Sequence, residues 1–151
     1  MAGCVPVALA GCIETGAFGA TPDRTVVDTT FELMGSGDAM DLADEARVEW
    51  PPDDDQIVIT GFIWYGSSSC NGPEFGGVTY DRDADELTVV TTFGQRTPQP
   101  TTNLQGEREC TADLVGSMYT VRVTFDGGLP KHVTVKQFHN GHDSTVTNAT
   151  R

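Results

Sequence analysis

The sequence predicts an all-β protein whose strands form an antiparallel β-sandwich, immunoglobulin-like in the broad sense. Three observations support this fold class. Short segments alternate apolar and polar residues with a period of two, which is the period of a strand with one buried face. Turn-forming residues separate these segments, and no strand–helix–strand rhythm accompanies them. A small barrel is the alternative arrangement of the same strands, and the length of 151 residues suits a single domain.

The predicted elements of the first half lie in four segments. GDAMDLADEA, Gly37–Ala46, is the segment that predicts a short helix. ARVEW (46–50) then places its first, third and fifth residues on one face of a strand. QIVITGFIWY (56–65) is apolar on both faces, which predicts a central strand. GGVTY (76–80) directs its valine and tyrosine inward.

Three further segments predict strands in the second half. MYTVRVTF (118–125) has the clearest alternation, with tyrosine, valine and phenylalanine on one face and threonine and arginine on the other. ELTVVTTF (86–93) and KHVTVKQF (131–138) follow the same pattern. DRDADE (81–86) and DGGLP (126–130) are expected to form hairpin turns, because Asp and Gly tolerate the positive φ angles that such turns require.

The chain is expected to divide into four parts. Residues 1–12 resemble a truncated lipoprotein signal, and 13–28 form a flexible tether of small and polar residues. Residues 29–140 form the β-sandwich domain, and 141–151 form a disordered tail. Within the domain, Gly94–Glu109 has two prolines and no periodicity, which predicts a crossover or a loop at one end of the sandwich. We expect a monomer.

The acidic composition limits the partners of the protein. The chain has 9 Lys and Arg against 22 Asp and Glu, which gives a formal charge of -13 and a pI near 4.3. Such a surface repels nucleic acids and anionic lipid headgroups, so no nucleic-acid partner is expected. The composition is typical of the solvated acidic surfaces of halophilic proteins, and an acidic binding face is the alternative. No motif indicates a cofactor.

Cys12 is the predicted lipidation site. It ends the sequence LAGC, which resembles the lipobox of bacterial and archaeal lipoproteins. Nothing basic precedes it, and the apolar run is at the lower limit for a signal, so the signal looks incomplete. The expected location is the extracytoplasmic face of the cell membrane, through a lipid on Cys12. A secreted soluble domain, with Cys12 an ordinary tail residue, is the alternative.

Cys70 and Cys110 are predicted to form a disulfide. They are an isolated pair in a chain expected to be exported, and their spacing contains no CxxC element. Closing a loop of this length is expected to stabilise the fold by about 4 kcal/mol in the chain-entropy model. Reduced, buried thiols are the alternative. Trp64 precedes both cysteines instead of lying between them, so the true immunoglobulin signature is absent.

These features together resemble a known group of proteins. A strand that ends in a Cys-containing loop, VTYDRDADELTVV, a second Cys, YTVRVTFDGGLP and a final VTV strand resemble small acidic secreted lipoproteins of halophilic archaea. The resemblance spans residues 46–138. It implies an extracytoplasmic location and a β architecture, but no active site, because the group has no assigned activity.

The acidic turn offers a first candidate site. Asp81, Asp83 and Asp85 have the spacing of the first three ligands of a calcium loop. Glu86 and Thr92 stand where the glycine and the bidentate glutamate of an EF-hand are required, so a solvated turn is the favoured interpretation.

The remaining candidates are equally incomplete. His139 and His142 could share a metal with the nearby His132 and Asp143, although a flexible tail makes a poor site. Three other polar segments complete the set: the charged loop Asp53–Asp55, the serines Ser67–Ser69, which lack a nucleophile elbow, and the weakly informative glycosylation sequon at Asn148.

The function predicted from the sequence is a lipid-anchored, extracytoplasmic binding or interaction module without enzymatic activity. Its ligand is an unidentified surface protein or small molecule. The alternative is a metal-dependent or hydrolytic enzyme that uses His139, His142 and the turn at Asp81.

Overall fold

The computed structural model describes residues 23–35, 46–52, 54–95, 110–139 and 142–151. These residues form eight strands and, within the described ranges, no helix. The strands are β1 (Thr25–Gly35), β2 (Ala46–Glu49), β3 (Gln56–Gly66), β4 (Asn71–Asp81), β5 (Glu86–Gln95), β6 (Leu114–Asp126), β7 (His132–His139) and β8 (His142–Thr150).

The strands form two four-stranded sheets that pack face to face. The first sheet has the order β1-β6-β3-β2, and the second has the order β4-β5-β7-β8. Pairing is antiparallel except between β5 and β7, which run parallel. The predicted β-sandwich is therefore confirmed, with one parallel pair in place of a wholly antiparallel sheet. The two sheets do not close into one, so the small-barrel alternative is wrong.

The inward faces of the central strands form the core. On β6 the alternation read from the sequence is confirmed, because the four inward residues are at most 2% exposed. Ile57 and Ile59 on β3 and Leu87 and Val89 on β5 are fully buried against them. At about 25 cal/mol per Å² of apolar surface removed from water, this continuous layer is the main source of stability. It joins the two sheets along their whole width.

The outer face of β3 is also apolar, as the sequence predicts for a central strand. Phe62 is only 6% exposed although it points away from the core. Its ring lies over Gly116 of β6, where an added Cβ would come within 2.0 Å of the ring. Trp64 packs edge-on against Phe62, with 4.9 Å between ring centroids. A glycine on the neighbouring strand thus makes room for an aromatic residue outside the core.

The DGGLP segment is not a hairpin, and this prediction was wrong. β6 belongs to the first sheet and β7 to the second, so residues 127–131 cross between the sheets. Gly127 and Gly128 do adopt positive φ angles, of 82° and 97°. Leu129 and Pro130 are buried, and they draw the chain over the end of the core. β7 therefore pairs with β5 in parallel instead of returning beside β6.

The predicted ends of the domain also differ from the structure. β8 occupies most of the segment 141–151 that was expected to be a disordered tail, and it pairs antiparallel with β7. Thr147 of β8 then links the two sheets, since its hydroxyl accepts the N–H of Ala46 at 2.9 Å and donates to the Ala46 carbonyl at 2.7 Å. At the other end, β1 begins at Thr25, inside the expected tether 13–28.

Other predicted connections fall partly outside the described residues. The turn at 81–86 joins β4 to β5 as the expected hairpin. Gly94–Glu109 connects strands of different sheets, which agrees with a crossover, although residues 96–109 are not described. The predicted helix Gly37–Ala46 lies outside the described residues except for Ala46, which begins β2. A helix long and apolar enough to cross a membrane is not found in the described part of the chain.

Candidate functional site

A cleft of about 270 Å³ opens at one end of the sandwich. Four segments meet there: the residue before β1, the β2–β3 connection, the β6–β7 crossing and the residue after β8. One part of the lining is apolar and another is charged. The lining residues are Arg24, Trp50, Pro51, Pro52, Asp54, Asp55, Gly128, Leu129 and Arg151.

Trp50 supplies an aromatic surface and an unpaired donor. Trp50 directly follows the short strand β2. Pro51 and Pro52 come next, and the strand does not continue because proline has no main-chain N–H to donate to a neighbouring strand. In the turn that follows, the N–H of Asp54 donates a hydrogen bond to the carbonyl of Pro51 at 3.4 Å. The indole Nε1 of Trp50 is buried and has no hydrogen-bond partner in the described structure. A buried indole N–H usually has an acceptor, so this nitrogen stands out.

Arg24 is the second lining residue with an unpaired donor. Its guanidinium passes beneath the β6–β7 crossing, where Nε lies 3.7 Å from the position that a Cβ on Gly128 would occupy. The Nη1 group donates to Asp85 in an ion pair that joins the first sheet to the second. The side chains are 13% and 15% exposed for Arg24 and Asp85. The Nε atom is buried without a partner among the described residues.

Asp85 fixes Arg24 from the opposite sheet. It has a positive φ of 51° at the end of the β4–β5 turn, and its carboxylate also accepts the hydroxyl of Tyr80 at 2.8 Å. Burial alone would raise the pKa of Asp85. The hydrogen bonds from Arg24 and Tyr80 together outweigh burial, so the pKa is lowered and the carboxylate stays charged. The charge of Arg24 is thus already balanced inside the fold.

The remaining charged residues of the cleft are not balanced in this way. Arg151 is exposed, and its main-chain N–H donates to the carbonyl of Lys131 at 2.9 Å, which holds it beside β7. Asp55 is held through its carbonyl, which accepts the N–H of Phe125 at 2.8 Å. The side chains of Arg151, Asp54 and Asp55 form no ion pair with the described residues. Among the described residues, the cleft therefore has one cationic side chain and two carboxylate side chains without an ion-pair partner.

The predicted disulfide lies far from this cleft. Cys70 and Cys110 are bonded, with Cα atoms 5.5 Å apart, as the sequence predicts. Cys70 is 4% exposed in the turn between β3 and β4, while Cys110 lies on the surface ahead of β6. The bridge is at the end of β3 opposite the cleft, so its role is to hold the fold.

The serines beside Cys70 form a polar network instead of a catalytic one. Ser68 donates its N–H to one oxygen of Asp113 at 3.0 Å and its hydroxyl to the other at 2.5 Å. Thr111 donates to the same carboxylate and also bonds to Ser69. The hydrogen bonds from Ser68 and Thr111 lower the pKa of Asp113 to about 2. The network ties the β3–β4 turn to the segment before β6.

The acidic turn is closed by its own hydrogen bonds. The carboxylate of Asp81 accepts the N–H groups of Asp83 and Ala84 at 2.9 and 3.1 Å, in an Asx-turn arrangement. Asp85 instead points to Arg24. The three carboxylates therefore do not converge on a calcium position, and no group of metal-binding side chains converges elsewhere in the described residues.

The histidines and the sequon occupy β7 and β8. His132 makes a hydrogen bond through Nδ1 to the hydroxyl of Thr150 at 3.2 Å. His139 and His142 face each other in the β7–β8 register, but their side chains and that of Asp143 are outside the described set. Asn148 is exposed and accepts the hydroxyl of Thr134 at 2.7 Å. Cys12 and Asp53 also lie outside the described residues.

The sequence did not indicate the cleft. Its residues come from four separated segments without a recognisable motif, although two of them, Asp54 and Asp55, belong to the charged loop Asp53–Asp55 considered from the sequence. The closest local signal is the run Trp50, Pro51 and Pro52, an aromatic residue beside two rigid ones at a strand end. The β1–β6 and β7–β8 pairings bring Arg24 and Arg151 to the same end of the molecule, beside the crossing at Gly128.

Comparison with known proteins adds no relative. None of the protein-family models, curated proteins or solved structures compared with this chain matches it.

Proposed function

We propose that this protein is a lipid-anchored, extracytoplasmic binding module without enzymatic activity, and that the cleft beside Trp50 is its ligand site. The observation that carries the proposal is that two residues lining the cleft each have a buried donor without a partner in the described structure, Trp50 Nε1 and Arg24 Nε. Both belong to residues of one polar cleft. A ligand that brings hydrogen-bond acceptors would satisfy groups that the folded chain leaves without partners.

The energetic argument concerns the cost of these donors. A buried donor without an acceptor costs about 1–3 kcal/mol. Both nitrogen atoms are buried, so a rotation of neighbouring side chains is needed before an acceptor reaches them. That rotation is favoured when a ligand supplies the missing hydrogen bond. The cleft is therefore suited to a ligand that replaces part of its lining contacts.

The binding role also agrees with the chemistry of the lining. The nine lining residues include no serine, threonine, cysteine or histidine, so no hydroxyl, thiol or imidazole side chain lines the cleft. They do offer an aromatic surface, prolines and charges of both signs. These are features of a recognition site with a small number of placed polar groups.

The extracytoplasmic location is supported by the disulfide between Cys70 and Cys110. Such bonds persist in oxidising compartments. The proposed anchor is a lipid on Cys12, and the tether predicted from the sequence as 13–28 is shortened at its far end by Arg24, which the ion pair with Asp85 holds in the fold, and by β1, which begins at Thr25. A single acyl chain holds a protein only marginally, so firm attachment requires a lipid with two chains on Cys12.

The test of the cleft uses the indole N–H signals of the two tryptophans in a ¹⁵N–¹H NMR spectrum. A Trp64→Phe variant assigns the remaining peak to Trp50. Mixtures of carboxylates, amines, amino acids and polyols are then added at millimolar concentration. We expect a saturable shift of the Trp50 peak while the Trp64 peak of the unmodified protein stays fixed. A Trp50 peak that no compound moves would show that the cleft is not a ligand site.

A further inference from the structure

We infer that the ligand of the cleft is a small zwitterion, an α-amino acid or a molecule with the same charges. This inference rests on the proposed function, and it names the ligand class of the same site. It comes from the free charges of the lining, its unpaired donors and its apolar wall.

The free charges require both signs on the ligand. Arg151 is a cation without an ion pair in the described structure, and Asp54 and Asp55 are carboxylates without one. A carboxylate on the ligand complements Arg151, and an ammonium group complements either aspartate. A ligand with a charge of one sign would leave the lining side chains of that same sign without a partner.

The unpaired donors assign the negative end of the ligand. Trp50 Nε1 and Arg24 Nε both need an acceptor, and an ionised carboxylate has two oxygens with which to accept. Arg24 has its charge balanced by Asp85, so it contributes a directed N–H and little net attraction. An amine without a carboxylate would leave both donors as they are.

The charge of the whole protein acts against simple anions. At a net charge of -13 the protein repels an anion before contact. A zwitterion has no net charge, so it approaches without this penalty and separates its charges only inside the cleft. A zwitterion therefore suits both the acidic composition of the protein and the two arginines of the cleft.

The apolar wall sets the remaining part of the ligand. Trp50, Pro51, Pro52 and Leu129 line the cleft together. Their surfaces suit a short aliphatic side chain, and the Trp50 ring can also face the ammonium group. A volume of about 270 Å³ accommodates a free amino acid but not a folded peptide. A neutral sugar fits the volume of the cleft, but it has no charged group to pair with Arg151, Asp54 or Asp55.

The test compares L-valine with its two truncated forms. The first is 3-methylbutanoate, which lacks the ammonium group, and the second is isobutylamine, which lacks the carboxylate. D-glucose serves as the neutral probe. Binding is measured through the emission of Trp50 in the Trp64→Phe variant, where Trp50 is the one remaining tryptophan. We expect valine to bind at least about tenfold more tightly than either truncated form, because each lacks one charged hydrogen-bonding group.

Substitutions assign the two ends of the ligand. Arg151→Gln should weaken valine about tenfold and leave the weak binding of isobutylamine unchanged. Asp54→Asn combined with Asp55→Asn should weaken valine and leave 3-methylbutanoate unchanged or improved. Arg122→Gln and Asp28→Asn are matched controls on the exposed outer face of the first sheet, and they should change neither.

Each other result overturns the inference. If a truncated form or glucose binds as tightly as valine, the zwitterion is the wrong class while the cleft remains a ligand site. If valine leaves Trp50 unchanged but another compound in the NMR screen shifts its indole peak, the ligand class is again wrong. The proposed function itself fails only when that screen moves no Trp50 signal.

Discussion

The ring of Tyr119 on β6 lies directly over Gly61 on the neighbouring strand β3. A Cβ added to Gly61 would come within 2.4 Å of the tyrosine hydroxyl oxygen and 2.5 Å of the ring carbon that carries it. The two residues are register partners, and Tyr119 is fully buried. The absence of a side chain at Gly61 is therefore what lets a large aromatic residue occupy the centre of the core.

This relationship predicts the effect of Gly61→Ala. The added methyl group meets the tyrosine ring and not a flexible chain end, so the core must shift. We expect a loss of about 1–3 kcal/mol in the free energy of unfolding, measured by urea denaturation. Gly66→Ala on the same strand is the control, because its Cβ would have 3.8 Å to the nearest atom. Equal effects of the two substitutions would contradict the packing described.

The hydroxyl of Tyr119 gives a second prediction. It is buried without a hydrogen-bond partner of normal geometry in the described structure, as is the hydroxyl of Thr91. Burial raises the pKa of Tyr119, and the nearby Thr91 and Gln137 side chains oppose this only in part. Tyr119→Phe should therefore stabilise the fold by about 1 kcal/mol, since it removes an unsatisfied polar group.

Tyr65→Phe is the matched control for that substitution. The hydroxyl of Tyr65 is also buried, but it has a partner in Ser117 at 3.3 Å. Its removal should destabilise the fold by about 1 kcal/mol. A destabilising Tyr119→Phe would contradict the prediction and would show that the Tyr119 hydroxyl has a hydrogen-bond partner, for which Thr91 and Gln137 are the nearby side chains.

The disulfide predicts a large but global effect. Replacing both Cys70 and Cys110 with serine should lower the free energy of unfolding by about 4 kcal/mol, since the bond closes a loop of 40 residues. The bridge is at the end opposite the cleft, so the indole signal of Trp50 should keep its position in the folded variant. Unfolding curves of the oxidised, reduced and substituted proteins test the first point. A reduced protein as stable as the oxidised one would oppose it.

The two aspartates with lowered pKa values predict the acid response. Asp85 and Asp113 bind protons less readily in the folded protein than in the unfolded chain. Their contribution is therefore complete above the ordinary pKa of 3.8 and is lost as the pH falls toward the folded value, about 2 for Asp113. Urea unfolding between about pH 6 and pH 2 should show stability falling in the lower part of this range.

Substitution separates the two aspartates from the general acid response. Asp85→Asn and Asp113→Asn should each lower stability at pH 6 and flatten the loss at lower pH. Asp126→Asn, at the exposed end of β6, is the control for the removal of one surface carboxylate. A steeper slope in either test variant would reverse the sign expected.

The acidic surface predicts that salt stabilises the fold. Twenty-two carboxylates share the chain with 9 basic residues, and screening weakens their repulsion. The melting temperature should rise as KCl is increased from about 0.1 M to 2 M, where the Debye length falls below about 3 Å. Sucrose at matched osmolarity is the control for general preferential exclusion. A flat or falling melting temperature would contradict the salt-adapted interpretation.

The fold class was predictable because the alternation of apolar and polar residues along a strand shows which residues are buried. From Tyr119 to Phe125 on β6 the inward residues are apolar and the outward residues are polar, so Val121 and Val123 could be placed in the core from the sequence alone. The pairing of Cys70 with Cys110 was predictable for a different reason, since no other partner remained in the domain.

The misplaced elements depend on contacts between distant segments. Gly127 and Gly128 have the φ angles of a hairpin turn, but the burial of Leu129 decides where the chain goes. β8 is rich in threonine and serine, and its anchor is a hydrogen bond from Thr147 to Ala46, about which local periodicity carries no information. The cleft is a product of both features, because the crossing and β8 supply Gly128 and Arg151.

Arg24 and Arg151 line the same cleft, so the chain enters and leaves the sandwich at one end. The first described residues, Asp23 and Arg24, therefore lie at the end of the sandwich that carries the cleft, and the disulfide lies at the other end. β3 alone separates these ends by about 33 Å. Under the proposed attachment through Cys12, the chain therefore joins the domain at the end that carries the cleft and not at the end that carries the disulfide.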